Sequence, residues 1–291
     1  MSNAILLTGA HGMLAADVKL LKPAGIALIE TDVAELDITN ADAVDAFCAR
    51  NRPDLVLNCA AYTAVDKAET EIELARAVNA AGPANLARVC ARRGMRLVHV
   101  STDFVFEGDG SHLLAEDDTP APRGAYARTK REGEIAIEQA GGAWLIVRTS
   151  WLFGLRGNSF PATMLKLAHE KSAWSVVNDQ TGRPTYSRDL AAALWSLIAI
   201  RAAGYVHFCN EGACTWYDFA VETVRQGKDL GLIPRDKKTV ISPCATREFP
   251  RPAPRPWYSA LSTAKFTGLT GAPPRPWQEA LHDFLLARKN S

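Results

Sequence analysis

Long apolar runs are missing from this sequence: none approaches the roughly 20 consecutive apolar residues of a membrane span, so no membrane partner is expected. An excess of either charge is missing as well, with 33 Lys and Arg interspersed among 32 Asp and Glu for a formal net charge of +1. That balance offers no field for nucleic acid or an anionic membrane surface. Paired cysteines are missing too. Cys48, Cys59, Cys90, Cys209, Cys214 and Cys244 form no Cys-x-x-Cys, which predicts reduced thiols in a cytoplasmic protein, and no metal ligand is expected. Met1-Ser2-Asn3 leads straight into an apolar strand without a basic n-region, so no signal-type leader is expected. Internal repeats and low-complexity tracts are absent.

What is present is an alternation of short apolar runs and helical stretches over 291 residues, enough for one large α/β domain and a smaller companion. Ala4 to Thr8 is continuously apolar up to its last residue, as in a strand covered on both faces of a parallel sheet. Gly9-Ala10-His11-Gly12-Met13-Leu14-Ala15 follows at once and opens a helix. In that order Gly9 permits a tight turn, and Gly12 lets backbone N–H groups approach an anion at the helix N-terminus. The second run ends at Asp32, which is placed either to accept hydrogen bonds from a ribose diol or to sit in a solvated turn. Leu36 to Asn40 is a strand-to-helix junction with Asp37 and Ile38 beside an adenine, and Thr39 or Asn40 caps the next helix. A third strand ends in the small residues Cys59-Ala60-Ala61, leaving room for a ligand, and the polar stretch from Tyr62 to Glu69 leads into a long helix.

The fourth strand, Arg96 to Val100, ends in Ser101-Thr102-Asp103, and an aperiodic loop then delivers the chain to Tyr126-x-x-x-Lys130. Residues four apart on a helix share a face, so a phenol and an ammonium there can act on one substrate atom. A phenol with an ordinary pKa of about 10 holds its proton at neutrality, a nearby cation favours the phenolate, and such a Tyr suits proton donation to a reduced carbonyl. Tyr-x-x-x-Lys alone also arises by chance. Its weight comes from the order strand, Ser-Thr-Asp, loop, Tyr-x-x-x-Lys helix, strand, which is that of the short-chain dehydrogenase/reductase architecture.

Beyond Ser150 the rhythm changes. An amphipathic helix runs to about Glu170 with Met164, Leu167 and Ala168 as a core-facing stripe, Trp174 to Val177 is a strand, and Asn178 to Thr185 is a polar turn. The apolar helix Asp189 to Ile200 is assigned back to the first domain. A strand from Tyr205, a helix from Trp216, a proline-rich connection from Val240 to Pro256 and a closing helix from Pro276 to Leu286 complete the chain. Arg247, Arg251 and Arg255 in that connection either clasp a diphosphate or belong to a solvated loop, with Arg255 the best placed. The expected fold is therefore α/β: a Rossmann-type doubly wound parallel sheet with a smaller C-terminal α/β substrate-binding domain. Residues 1–150, with 174–203 returning to them, form the dinucleotide domain, and 151–173 with 204–291 form the second.

Taken together, Gly9-Ala-His-Gly-Met-Leu14, Leu36-Asp-Ile-Thr39, Asn58 to Glu69, Ser101-Thr-Asp-Phe-Val-Phe106, Tyr126-x-x-x-Lys130, Arg148-Thr-Ser-Trp151, Asn178 to Thr185 and Arg255-Pro256 resemble the dTDP-4-dehydrorhamnose reductase family over almost the whole chain. The resemblance implies reduction of the C4 ketone of dTDP-4-dehydro-L-rhamnose to dTDP-L-rhamnose with NADPH, NADH being possible. It implies Tyr126 as proton donor, Lys130 on the nicotinamide ribose, Thr102 on the ketone and Asp103 on the sugar. Gly9, Gly12, Met13, Leu14, Asp32, Asp37, Ile38, Ala61, Tyr62 and Thr63 would line the cofactor. Trp151, Asn178, Gln180 and Arg255 would take the dTDP-sugar. Phe104 stands where the family usually has Tyr, and Val33 where relatives often carry Arg. Some relatives form homodimers through Mg2+ held by glutamates, and Asp17 occupies the first such position here. Two rivals are a reductase of another nucleotide-linked 4-keto sugar and a regulatory subunit that binds a dinucleotide without catalysis.

Overall fold

The structure, a computed structural model, describes residues 4–290; the expectation attached to Met1-Ser2-Asn3 lies outside them. Four strand-to-helix units and a fifth strand build the first half: β1 (Ala4–Thr8), α1 (Met13–Leu20), β2 (Ala27–Thr31), α2 (Ala41–Asn51), β3 (Leu55–Asn58), α3 (Ile72–Arg76), α4 (Gly82–Arg93), β4 (Arg96–Thr102), α5 (Gly124–Ala140) and β5 (Ala143–Thr149). The second half adds β6 (Leu152–Phe153), α6 (Phe160–Glu170), β7 (Ala173–Val177), β8 (Thr181–Gly182), β9 (Thr185–Tyr186), α7 (Ser187–Ala199), β10 (Gly204–His207), β11 (Cys214–Thr215), α8 (Trp216–Asp229), β12 (Val240–Cys244), α9 (Ala264–Thr270) and α10 (Trp277–Lys289).

Six parallel strands form the central sheet in the order β2-β1-β3-β4-β5-β10. Because the order reverses between β1 and β3, a crevice opens at their carboxyl ends, where ligands bind in doubly wound sheets. Helices cover both faces: Leu14, Val18, Leu190 and Leu194 of α1 and α7 pack on one, and Val44, Leu86, Val89 and Ile137 of α2, α4 and α5 on the other. Covered on both sides, β1 is buried at all five positions, which is why it reads as an unbroken apolar run. The N-cap is Asn40, whose Oδ1 accepts from the Ala43 N–H at 3.0 Å.

Two expectations are corrected. Strand β10 pairs with β5 at the edge of the large sheet, so residues 204–207 belong to the dinucleotide half and not to the second domain. Its Val206 is fully buried against the α7 side of that sheet, and the short connection out of α7 leaves it parallel to β5. Conversely β7, which had been assigned to the first domain, pairs in parallel with β12 inside the supposed proline-rich connection. The small half is organised instead by aromatic packing of Phe153, Phe219, Trp277 and Phe284.

The long helix expected after Tyr62 is interrupted. A 3₁₀ turn (Lys67–Glu69), α3 and one π turn (Ala77–Ala81) precede α4. Pro83 has no N–H to give to the Asn79 carbonyl, which frees that oxygen and widens the turn. Gly133 of α5 lies against the same oxygen, too close for any Cβ. At the widened turn the helix carrying Tyr126 thus packs closely against the segment between α3 and α4.

Candidate active site

Gly9 adopts φ +67°, and a Cβ there would fall 2.7 Å from the Ala60 nitrogen. Only glycine lets β1 turn past the end of β3, which is the physical reason for the first glycine of the turn. Gly12 is the N-cap of α1 and no side chain caps that helix end, so its first N–H groups remain for an anion. Beside this turn lies a cavity of about 290 Å3 lined by Gly9, Gly12, Asp32, Asp37, Ile38, Ala61 and their neighbours Thr8, Val33, Leu36, Thr39, Cys59, Ala60 and Val78. A glycine cradle at a helix N-terminus with an acidic rim fits a dinucleotide. Asp32 Oδ2 accepts from the His11 N–H at 3.0 Å and Oδ1 from the Val33 N–H at 2.8 Å, bonds that hold its carboxyl below the ordinary range against some desolvation.

Other expected cofactor residues are placed less directly. Leu14 is buried in the core, so its side chain is withdrawn from the cavity and only its backbone remains for a ligand. Met13 lies against Gly154. Tyr62 is fixed by Asn79, which accepts its N–H at 2.9 Å and donates to its carbonyl at 3.1 Å. Thr63 is exposed just beyond.

Lys130, whose charge is felt by Cys59 of that lining, is 2% exposed. The Lys130 Nζ donates to the Val100 carbonyl at 2.8 Å and stands 3.3 Å from His99 Nε2. Burial pulls it down to about 8, opposed by Glu134 and Cys59. Tyr126, in the first turn of α5, is half-buried and meets Phe104 edge-on at 5.5 Å. Burial, with the Asp103 charge adding to it, pushes its phenol up to about 12, against a hydrogen bond with Thr102. Lys130 Nζ is turned toward the Val100 carbonyl of the sheet, so in this arrangement the raised Tyr126 phenol receives no lowering from that cation.

Thr102 Oγ1 donates to Asp103 Oδ1 at 3.1 Å, and Ser259 Oγ donates to Asp103 Oδ2 at 2.6 Å. Burial nevertheless raises Asp103 to about 6. Ser259 ties the C-terminal segment to the end of β4, a contact that no sequence spacing announces. Glu69 is a second residue that spacing does not reveal. Its Oε1 accepts the Ala125 N–H at 2.6 Å, capping the helix of Tyr126 where Arg123 makes no side-chain cap. Asp66 accepts from Arg255 at 2.9 Å, and the Arg255 guanidinium lies 5.9 Å from the Phe104 ring. Arg251 stands 3.9 Å from the same carboxylate, whereas Arg247 does not join them.

The remaining substrate-side residues gather around β8. Trp151 has φ +46° and stacks on Trp216 with centroids 3.6 Å apart, while Gly182 leaves its ring no room for a Cβ. Gln180 is buried and its Nε2 donates to Thr246 Oγ1 at 3.0 Å, whereas Asn178 is exposed, its Oδ1 accepting from Thr215 Oγ1 at 2.7 Å. Asp17 accepts a hydrogen bond from Ser187 Oγ across the α1–α7 contact.

A hydroxyl, a protonated phenol and a buried amine thus converge at the carboxyl edge of a parallel sheet, beside a glycine cradle. The family model described as RmlD substrate binding domain matches residues 3–289. Over 293 residues the chain is 41% identical to dTDP-4-dehydrorhamnose reductase of Mycolicibacterium smegmatis, covering 99% of this chain and 86% of that one. It is 42% identical over 288 residues to a probable dTDP-4,6-dihydroxy-2-methyloxan-3-one 4-ketoreductase of Streptomyces antibioticus, covering 96% and 93%. The crystal structure of dTDP-4-dehydrorhamnose reductase from Bacillus anthracis in complex with NADP has a TM-score of 0.91 at 36% identity, covering 99% of this chain and 100% of that one. With its glycine cradle, its Thr102, Tyr126 and Lys130 and a match along nearly its full length, this chain belongs to the RmlD substrate-binding-domain family.

Proposed function

We propose that the chain reduces the C4 ketone of dTDP-4-dehydro-L-rhamnose to dTDP-L-rhamnose with NADPH or NADH. The observation that carries this reading is the placement of the half-buried Tyr126, in the first turn of α5, beside Thr102 at the end of β4. When bound, the nicotinamide supplies the hydride. Thr102 orients the ketone oxygen, and Tyr126 gives that oxygen its proton as charge develops on it. Lys130 holds the nicotinamide ribose. Asp66 presents Arg255 toward the sugar nucleotide, and Trp151, braced by Trp216, bounds its pocket. Among the described residues lining the dinucleotide cavity there is no Lys or Arg, while Asp32 and Val33 sit at its rim. A ribose 2′-hydroxyl can donate to Asp32 and a 2′-phosphate is repelled by it, which favours NADH over NADPH. Free thiols at all six cysteines fit the cytoplasm, and among the described residues no helix is long and apolar enough to cross a membrane.

The test is oxidation of NADH and of NADPH by the purified chain with the dTDP-linked keto sugar. Turnover supports the reading; its absence with dTDP-, UDP- and GDP-linked 4-keto sugars favours a non-catalytic dinucleotide-binding subunit. A second substrate, another dTDP-linked 4-keto sugar, is favoured by the similarity to the Streptomyces antibioticus 4-ketoreductase. Competition between the two sugars decides.

A further inference from the structure

Behind Lys130 lies a row of buried polar side chains that the reduction itself does not call on: Thr8, Asn58 and His99, on β1, β3 and β4, none more than 1% exposed. Asn58 Oδ1 accepts from Thr8 Oγ1 at 2.6 Å and from the Ala60 N–H at 3.1 Å. A backbone N–H can only donate, so the Ala60 contact fixes which end of the Asn58 amide is oxygen. Its Nδ2 therefore donates to His99 Nδ1, 2.9 Å away. Once Nδ1 accepts, the neutral imidazole carries its proton on Nε2. That N–H faces the Lys130 Nζ at 3.3 Å. An ammonium there sets donor against donor in a site closed to water, whereas a neutral amine offers a lone pair to Nε2–H and still donates to the Val100 carbonyl.

We infer that Asn58 and His99 form a tautomer lock that favours the uncharged amine of Lys130 before a dinucleotide binds, and that this amine takes up a proton from solvent on binding. The balance is simple: –NH2 and a solvent proton become –NH3+, with no other bond made or broken. Ribose hydroxyls and the diphosphate charge give the ammonium the partners it lacks, so cofactor binding favours the cation beside Tyr126. The titratable groups facing Lys130 are His99 on β4, Cys59 after β3 and Glu134 on its own helix. Burial holds His99 neutral, a charge on Lys130 would only add to this, and burial pushes Cys59 up to about 12. Burial brings Lys130 to about 8, so between about pH 8 and 9 it is the group beside the cavity that changes charge.

His99 and Asn58 are positioning residues here, and the inference rests on the reading of Lys130 as a cofactor contact. Calorimetric titration of NADH and NADPH into the full chain at about pH 8.5, in two buffers of different ionisation heat, measures protons exchanged. We expect an uptake of roughly 0.7 proton, fading toward about pH 6, where Lys130 is already charged. His99→Gln, whose amide is free to turn its oxygen to the ammonium, should clearly reduce the uptake to what burial alone leaves in place, and Asn58→Asp, which reverses the His99 tautomer, should do the same. Binding by the wild type without proton uptake, or uptake unchanged in a folded His99→Gln, overturns the lock. Failure of either dinucleotide to bind overturns the cofactor reading instead.

Discussion

At the scale of single residues, function turns on which groups keep their protons. Tyr126 does so through burial, and Tyr126→Phe removes the donor while leaving the ring packed on Phe104. Turnover should fall by roughly two to four orders of magnitude, the usual worth of general acid catalysis, with dinucleotide affinity retained. Steady-state and fluorescence titrations check the two halves, and a near-normal rate would remove Tyr126 from the mechanism. Asp103 makes the opposite demand. Its pKa is raised to about 6, so its neutral form is the one that favours folding. That stability is fully present below its ordinary pKa of 3.8 and is lost as pH rises through about 6. The two-unit shift corresponds to on the order of 3 kcal/mol. Denaturant melts of wild type and Asp103→Asn from about pH 4 to 7 should differ by that slope, and parallel curves would refute the assignment. At the cofactor rim, Val33→Arg supplies the cation that Asp32 lacks, and should shift the ratio of kcat/KM toward NADPH by about tenfold or more.

Elements place these residues. The first turn of α5 holds Tyr126, and its end is capped from outside by Glu69 at 2.6 Å from the Ala125 nitrogen. Glu69→Ala should cost roughly 1 to 2 kcal/mol at that helix end and lower kcat more than it weakens dinucleotide binding, because Tyr126 is what moves. The Asp66 to Glu69 stretch that stood out as a motif thus splits its labour: one carboxylate holds Arg255 and the other holds the catalytic helix. The π turn at Ala77–Ala81 serves the same helix, since its freed carbonyl meets Gly133. In β1 and β3 the polar residues Thr8 and Asn58 are tolerated at 1% and 0% exposure because each satisfies the other.

For the whole molecule, the question is how two halves meet over one crevice. The smaller half is bound by aromatic packing, with Phe153, Phe219 and Phe284 within 5.5 Å of one another's centroids through Phe153. It closes on the larger half through the buried cluster of Phe106, Leu114 and Leu261, with Arg255 and Arg251 on Asp66 and Ser259 on Asp103 adding polar contacts. Asp66→Asn keeps the shape of the side chain and removes the charge that gathers both arginines. The KM for the dTDP-sugar should rise several-fold while dinucleotide affinity stays; equal effects on both ligands would show that the contact does not discriminate between the halves.

The sequence by itself determined the elements whose rules are local. Apolar runs marked β1, β3, β4 and β5, the glycine turn marked the cradle, and the order of Ser-Thr-Asp and Tyr-x-x-x-Lys marked the catalytic edge, because strand burial, positive φ and helical spacing are properties of a few neighbouring residues. Only the tertiary structure decided that β10 joins the large sheet and β7 the small one, since strand pairing depends on distant partners. It alone decided that Lys130 faces His99 and Val100, that Glu69 caps a helix 56 residues away, and that Gln180 is buried against Thr246 while Asn178 stays exposed. Side-chain direction and protonation inside a core are set by which groups burial brings together, and no spacing along the chain encodes that.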